Sequence, residues 1–297
     1  MNQNNSRFLI ADGAMGTMLQ KYGLPRGERS DIMNITNPDT VETIHRMYLE
    51  AGSDIIYTNT FGANAKALEN TGYTPENIIE AAVSIAKRAC NSVNSIVLDI
   101  GPLGTLLEPM GVMEHSEAYD IFAQQAVLGE KAGVDFVGLE TMSDISELMT
   151  AMFAVTENTN LQIIASMTFQ DNAMTYIGYT PEDLATISEG ESEYFAIGLN
   201  CSLAPYDMIE TAKRFAISST HPLIIKPNAG LPEGPNSEYS ISPSEFASQM
   251  VQLVEAIDEI DEASGLLEKM GQKRLLIIGG CCGTTPQYIN DLRRLLV

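Results

Sequence analysis

Short apolar runs alternate along the chain with longer stretches in which apolar residues recur every three or four positions. The runs fall at Arg7–Ala11, Asp54–Thr58, Ser95–Leu98, Asp135–Leu139, Leu161–Met167, Phe195–Leu199, Pro222–Lys226 and Arg274–Ile278. Many are rich in Val or Ile and nearly unbroken by polar residues, the pattern of strands buried on both faces in a parallel sheet. Helical stretches lie at Thr40–Glu50, Pro75–Asn91, Ser116–Lys131, Ser143–Glu157, Pro205–Ile217, Pro243–Met270 and Gln287–Val297. Thr74-Pro75, Ser116 and Ser242-Pro243 are helix-start signals. Strand and helix units in alternation, with eight strands, predict an α/β fold, a (β/α)8 TIM barrel forming a single domain over residues 1–297. The competing arrangement is an open doubly wound sheet. The count of eight and the lack of a Gly-x-Gly-x-x-Gly turn weigh against it. Residues 230–242 read as a Pro/Gly/Ser loop, and residues 254–268 as an acidic, solvated helix face.

Composition narrows the function. The chain has 297 residues, 44% of them apolar, enough for a large core, which excludes a disordered chain. Its 39 acidic against 17 basic residues leave a formal charge of −22. Such a surface repels phosphate backbones and anionic lipid, so nucleic-acid and membrane-surface roles are disfavoured. Apolar runs fall far short of the roughly 20 residues of a spanning helix, and the polar opening residues have no apolar signal segment behind them. The expected compartment is the cytoplasm. Four cysteines are too few for a disulfide framework, and two of them, Cys281 and Cys282, are adjacent.

In a barrel of this kind chemistry gathers at the C-terminal ends of the strands. The predicted strands lead in order into Asp12-Gly13, Asn59-Thr60, Asp99, Glu140-Thr141, Thr168, Asn200-Cys201, Pro227-Asn228 and Gly279–Pro286. Three of the four cysteines, Cys201, Cys281 and Cys282, therefore share one rim, on strands two apart. Soft thiolates select zinc over magnesium or calcium, and a catalytic zinc keeps three protein ligands and one open position. The alternatives are a core Cys201 beside a redox-active or incidental Cys281-Cys282 pair. Cys90, late in a helix, reads as packing. Asp12 and Glu140 are either helix caps or, with the amide-rich turn Gly13-Ala14-Met15-Gly16, a site for a substrate carrying both ammonium and carboxylate. His45, His115 and His221 are scattered and read as structural or solvated. There is no Ser-His-Asp spacing, Gly-x-Ser-x-Gly elbow or Walker loop.

With these segments the chain resembles the homocysteine S-methyltransferase family. The resemblance rests on Asp12–Leu19 (DGAMGTML), Ala51–Gly62 (AGSDIIYTNTFG), Asp99–Gly104 (DIGPLG), Glu140–Asp144 (ETMSD), Gly198–Ser202 (GLNCS), Pro227–Pro232 (PNAGLP) and Gly279–Pro286 (GGCCGTTP). Within the family the chain is most similar to the homocysteine-binding module of cobalamin-dependent methionine synthase. The resemblance implies zinc (Zn2+) on Cys201, Cys281 and Cys282, with Asp12 and Glu140 on the substrate ammonium and Asn228 near the metal. It implies methyl transfer to the sulfur of homocysteine, giving methionine. The implied donor is a separate corrinoid (methylcobalamin) protein, for which the acidic surface would favour a partner with a basic patch. Alternatives are a small sulfonium donor, S-methylmethionine or S-adenosylmethionine, a non-catalytic zinc- or thiol-binding protein, and a thiol-disulfide redox protein. The stretch between PNAGLP and GGCCGTTP looks longer than usual, which puts any inherited partner-docking surface in doubt.

Overall fold

The computed structural model describes residues 7–233, 238–265 and 271–297. In chain order its strands are β1 (Phe8–Ile10), β2 (Ile55–Tyr57), β3 (Ser95–Ile100), β4 (Phe136–Met142), β5 (Gln162–Met167), β6 (Tyr194–Asn200), β7 (Leu223–Lys226), β8 (Pro232–Glu233), β9 (Glu238–Tyr239) and β10 (Leu276–Ile278). Its helices are α1 (Met15–Lys21), α2 (Met33–Thr36), α3 (Pro38–Glu50), α4 (Pro75–Ala89), α5 (His115–Ala132), α6 (Ile145–Asn158), α7 (Pro181–Ser188), α8 (Ile209–Ser218), α9 (Pro243–Ala263) and α10 (Pro286–Leu296). Eight strands form one parallel sheet in the order β1-β10-β7-β6-β5-β4-β3-β2. A parallel bridge between Ala11 and Ile55 joins its two edges. The fold is a (β/α)8 TIM barrel, and all eight predicted strands are present.

The barrel is a packed core. Ala11, Ile55, Tyr57, Val97, Ile164, Ala196, Ile224 and Ile277 fill its centre, and a larger apolar shell lies between strands and helices. Small residues allow the strands to approach. A Cβ on Gly198 of β6 would stand 1.9 Å from the Ile224 carbonyl oxygen of β7. The helices dock through stripes at helical spacing, such as Val41, Ile44, His45 and Tyr48 on α3. Thr74 and Ser242 cap α4 and α9 through their side chains, each with Pro next in the chain. Arg274 enters the barrel wall just before β10. It is fully buried and pairs with Asp261 of α9 at 2.7 Å.

Several boundaries differ from the sequence pattern. The start of α5 is His115, with Glu114 rather than Ser116 in the capping position. Asp144 accepts the Ser146 N–H and so begins α6 after Ser143. A 3-10 turn over Tyr206–Met208 precedes α8. The pattern contained no sign of α1, α2 or α7. It assigned residues 230–242 to loop, yet β8 and β9 pair antiparallel there; residues 234–237 lie outside the described residues. The predicted run of helix to Met270 ends at Ala263, and residues 266–270 are likewise outside them. Among the described residues no helix is long and apolar enough to cross a membrane.

Candidate active site

A cavity of about 320 Å³ opens at the C-terminal ends of the barrel strands. The backbone builds it by stitching strand ends together. The N–H groups of Cys201, Gly280 and Cys281 donate to the carbonyls of Lys226, Asp12 and Pro227 at 2.9, 3.0 and 2.7 Å. Ala229 N–H donates to the Cys282 carbonyl at 3.0 Å. The turn after β10 is crowded enough to demand glycine. A Cβ at Gly279 would lie 2.7 Å from the Asp12 carbonyl oxygen, and one at Gly280 would lie 2.4 Å from the Thr284 hydroxyl. These contacts turn two successive side chains, Cys281 and Cys282, toward Cys201 at the end of β6.

The result is a cluster of three sulfurs, all within 4.8 Å of one another, with Cys201 and Cys282 at 4.0 Å. Zinc–thiolate bonds of about 2.3 Å put tetrahedral sulfurs about 3.8 Å apart. The donors fit the metal in both type and spacing. Negative charge concentrates on Cys201, lowered to about 3 by hydrogen bonds from Cys281 and Cys282, with further help from the Ser202 backbone and the Asn228 side chain. Cys281 is pushed well above its ordinary value, and Cys282 up to about 12, chiefly by the same bonds to Cys201. Asn228 keeps a buried Oδ1 without a partner. Cys201 and Ser202, at φ 62° and 59°, and Thr141, at 61°, occupy the left-handed region.

The opposite wall is acidic. Asp12, Gly13, Ala14 and Glu140 line the same cavity as the cysteines. Asp12 accepts the Tyr57 N–H on Oδ2 at 2.9 Å, while its buried Oδ1 has no partner. Burial pushes its carboxyl up to about 7 against the opposing pull of Lys226. Glu140 Oε2 meets the Lys226 ammonium at 2.6 Å. Gly13 admits no side chain, since a Cβ there would lie 2.6 Å from Thr284 Oγ1 and 2.9 Å from Tyr48. The Ala14 N–H donates to Thr284 Oγ1 at 3.2 Å. Every cavity residue singled out from sequence therefore faces one space, and Asn228 stands beside Cys201.

Two further lining residues, Lys226 and Tyr57, escaped the sequence reading of the site, and Asp99 entered it only as the end of the third predicted strand, with no role. Lys226 Nζ sits 3.5 Å from the centre of the Tyr57 ring. Burial works against its charge, but Glu140, Tyr57, Asp12 and Asp99 outweigh burial and hold the ammonium well above its ordinary value. Burial, then Glu140, push Asp99 well above the usual carboxylate range. The visible signal was a charged residue ending an otherwise apolar strand.

The remaining singled-out residues lie elsewhere. Cys90 ends α4 and packs partly buried against the core. His115 bonds Thr150 at 3.0 Å, and His221 bonds the Ser188 carbonyl at 2.8 Å. His45 is fully buried with both ring nitrogens unpartnered, and burial lowers it to about 4.

A family model described as homocysteine S-methyltransferase matches residues 9–296. Two curated relatives are the methionine synthases of Mycobacterium tuberculosis and Mycobacterium leprae, each 30% identical over 97% and 96% of this chain. The chain spans 24% of the length of either relative. Among solved structures, the homocysteine methyltransferase MmuM from Escherichia coli in its metallated form shares the fold at a TM-score of 0.78. It is 19% identical, over 98% of this chain and 96% of that one.

Proposed function

The chain belongs to the homocysteine S-methyltransferase family, and on that premise we propose that its barrel binds zinc on Cys201, Cys281 and Cys282 and methylates homocysteine to methionine. The observation that carries this reading is the cluster of three sulfurs within 4.8 Å, opening onto a cavity with a carboxylate wall. When bound, zinc supplies Lewis acidity, holding the substrate sulfur as a thiolate at neutral pH, where a free thiol is mostly protonated.

The protein's own residues do the rest. The cysteines would hold the metal at the rim, beside the cavity that would admit the substrate sulfur. Asp12 and Glu140 set the negative side of the cavity toward the substrate ammonium, and in the turn after Gly13, where Thr284 Oγ1 already holds the Ala14 N–H, the Met15 and Gly16 N–H groups would be left for its carboxylate. Asn228 steadies Cys201 by hydrogen bonding. The thiol proton leaves to water as the substrate binds; methyl transfer then forms a carbon–sulfur bond with the thiolate electron pair, while the donor keeps the pair from its broken bond. The thioether product is neutral and would be a weaker metal ligand than the thiolate it replaces.

For the donor, the reading is a methylcorrinoid protein reaching the barrel mouth from outside. Exposed apolar side chains on four rim loops support a macromolecular visitor: Met110 and Val112 after β3, Tyr176 after β5, Tyr206 after β6 and Leu231 after β7.

Zinc content and methionine formation are measured for the parent and for Cys201→Ser, Cys281→Ser and Cys282→Ser, with methylcobalamin, S-methylmethionine and S-adenosylmethionine as donors. Joint loss of metal and activity in each variant is expected. Full zinc in the triple variant would defeat the metal site, disulfide exchange that needs neither metal nor Cys201 would favour a redox pair, and turnover with a sulfonium alone would replace the corrinoid donor.

A further inference from the structure

Asn200 ends β6 one residue before Cys201, and it is fully buried. A carboxamide taken out of water is costly unless its oxygen and its two N–H groups all find partners. Here they do. Oδ1 accepts the Thr141 N–H at 2.7 Å and the Ser166 hydroxyl at 2.8 Å. Nδ2 donates to Thr141 Oγ1 at 2.7 Å and lies 4.0 Å from Cys281 Sγ, within reach of a sulfur acceptor. The Thr141 N–H can only donate, so it fixes which way round the amide sits. The oxygen must face that N–H and Ser166, and the NH2 group must face Cys281. Such an arrangement asks the Cys281 sulfur to accept, which is the role of a thiolate.

Two parts of the rim thereby meet in one side chain. Thr141 directly follows Glu140, at φ 61°, where the β4–β5 register shifts between Leu139 and Met142. A β-branched residue adopts that left-handed shape at a cost, and two bonds from Asn200 hold it there. Cys281 belongs to the glycine turn after β10, 81 positions further along the chain. We infer that Asn200 is a positioning residue of the metal site, holding the corner that follows Glu140 and, through its Nδ2–H, stabilising Cys281 as a thiolate. This rests on the zinc reading and deepens it. Three thiolates carry more negative charge than a divalent ion cancels, and an N–H aimed at one of them draws off part of the excess. Partners of this kind orient metal ligands, and their removal changes metal affinity by about tenfold to a hundredfold.

The test compares the wild type, N200D and T141V in three measurements: zinc affinity by chelator competition, the absorption spectrum of the cobalt-loaded protein, and calorimetric binding of homocysteine to the zinc-loaded protein. N200D is close in shape, keeps the acceptor for Thr141 and Ser166, and puts an oxygen where the NH2 group faced Cys281. Its zinc affinity should fall about tenfold to a hundredfold, and its thiolate-to-cobalt band should move to longer wavelength. T141V removes only the hydroxyl that Nδ2 also holds. Its zinc affinity should stay, while homocysteine binding should weaken about twofold to tenfold, as for one lost neutral bond; unaltered binding would overturn the part given to the Glu140 corner. A merely structural Asn200 would lower the unfolding midpoint of N200D and leave its zinc affinity and cobalt band where they were, which would overturn the inference. Should N200D not fold, magnetic resonance of the cadmium-loaded wild type decides the matter: an asparagine side-chain amide proton coupled to the metal is expected, and its absence would overturn the inference. A wild type that binds neither zinc nor cobalt would overturn the zinc reading itself, and this inference with it.

Discussion

Arg274→Met is the sharpest test of how the barrel holds the strand that leads to the tandem cysteines. The guanidinium is fully buried, and all five of its N–H groups are engaged. Nε and NH2 grip Asp261, at 3.0 and 2.7 Å for their closest contacts. NH1 donates to the Ser219 and His221 carbonyls, both at 2.7 Å, and NH2 also reaches Ala216 at 3.0 Å. The arginine thus closes the C-terminal end of α8 while tying α9 to the approach to β10. Methionine matches the length and removes every donor. Breaking one side of a buried ion pair costs about 3–5 kcal/mol, and the three carbonyls add to it, so about 4 kcal/mol is a lower working figure. For a chain of this length that is a fall of about 6 °C in Tm. The assay is denaturant unfolding followed by circular dichroism, with Asp261→Leu in the Arg274→Met background as the second arm. The double variant should recover about 2 kcal/mol of the loss, because no carboxylate is then stranded. A cost under about 1 kcal/mol for Arg274→Met, or a double variant worse than the sum of the singles, would refute the reasoning.

Four other outcomes follow from the same structure. His45 sits at about 4 in the fold against 6.5 unfolded. As pH falls through that window the unfolded chain takes up a proton that the folded chain does not, so stability drops by about 3 kcal/mol in all. Asp12 and Glu147, both raised to about 7 by burial, act with the opposite sign, adding stability as pH falls through 7. The wild-type curve minus that of His45→Leu isolates the histidine, and a difference flat between pH 7 and 4 would contradict it. Gly283 has φ 83°, and a Cβ on it would lie 2.2 Å from the Tyr239 ring. Gly283→Ala should therefore cost at least about 2 kcal/mol by thermal melt and weaken zinc binding, since Tyr239 bonds Cys282. Chelation of zinc present at about a thousand times its dissociation constant should remove about 4 kcal/mol of stability, whereas Cys90→Ser should keep full zinc content.

The sequence made the barrel legible because its strands are continuous apolar runs, which only a two-sided burial explains. The convergence of the three cysteines was legible because Cys201 and the tandem Cys281-Cys282 both sit at predicted strand ends of one rim, although the pattern left a redox or incidental pair open beside a metal site. The features that stayed hidden have local causes. The short α7 carries a reciprocal Thr180–Asp183 cap, but its eight residues hold too few apolar positions to show a period. The β8–β9 ribbon is obscured by proline and glycine. Lys226 read as the tail of an apolar strand, and nothing along the chain reveals that it crosses the cavity to Glu140, 86 positions away. Such pairings belong to closure of the barrel.

Thr141, Cys201 and Ser202 hold a backbone shape that glycine adopts freely and that other residues reach at about 1–2 kcal/mol each. Together they withhold a few kcal/mol from a total that is only about 5–15 in ordinary proteins. Directed evolution of this barrel for heat tolerance should therefore converge on these corners first. Position 202 is where durability is cheapest to gain and the hydroxyl contact with Thr168 is what disappears.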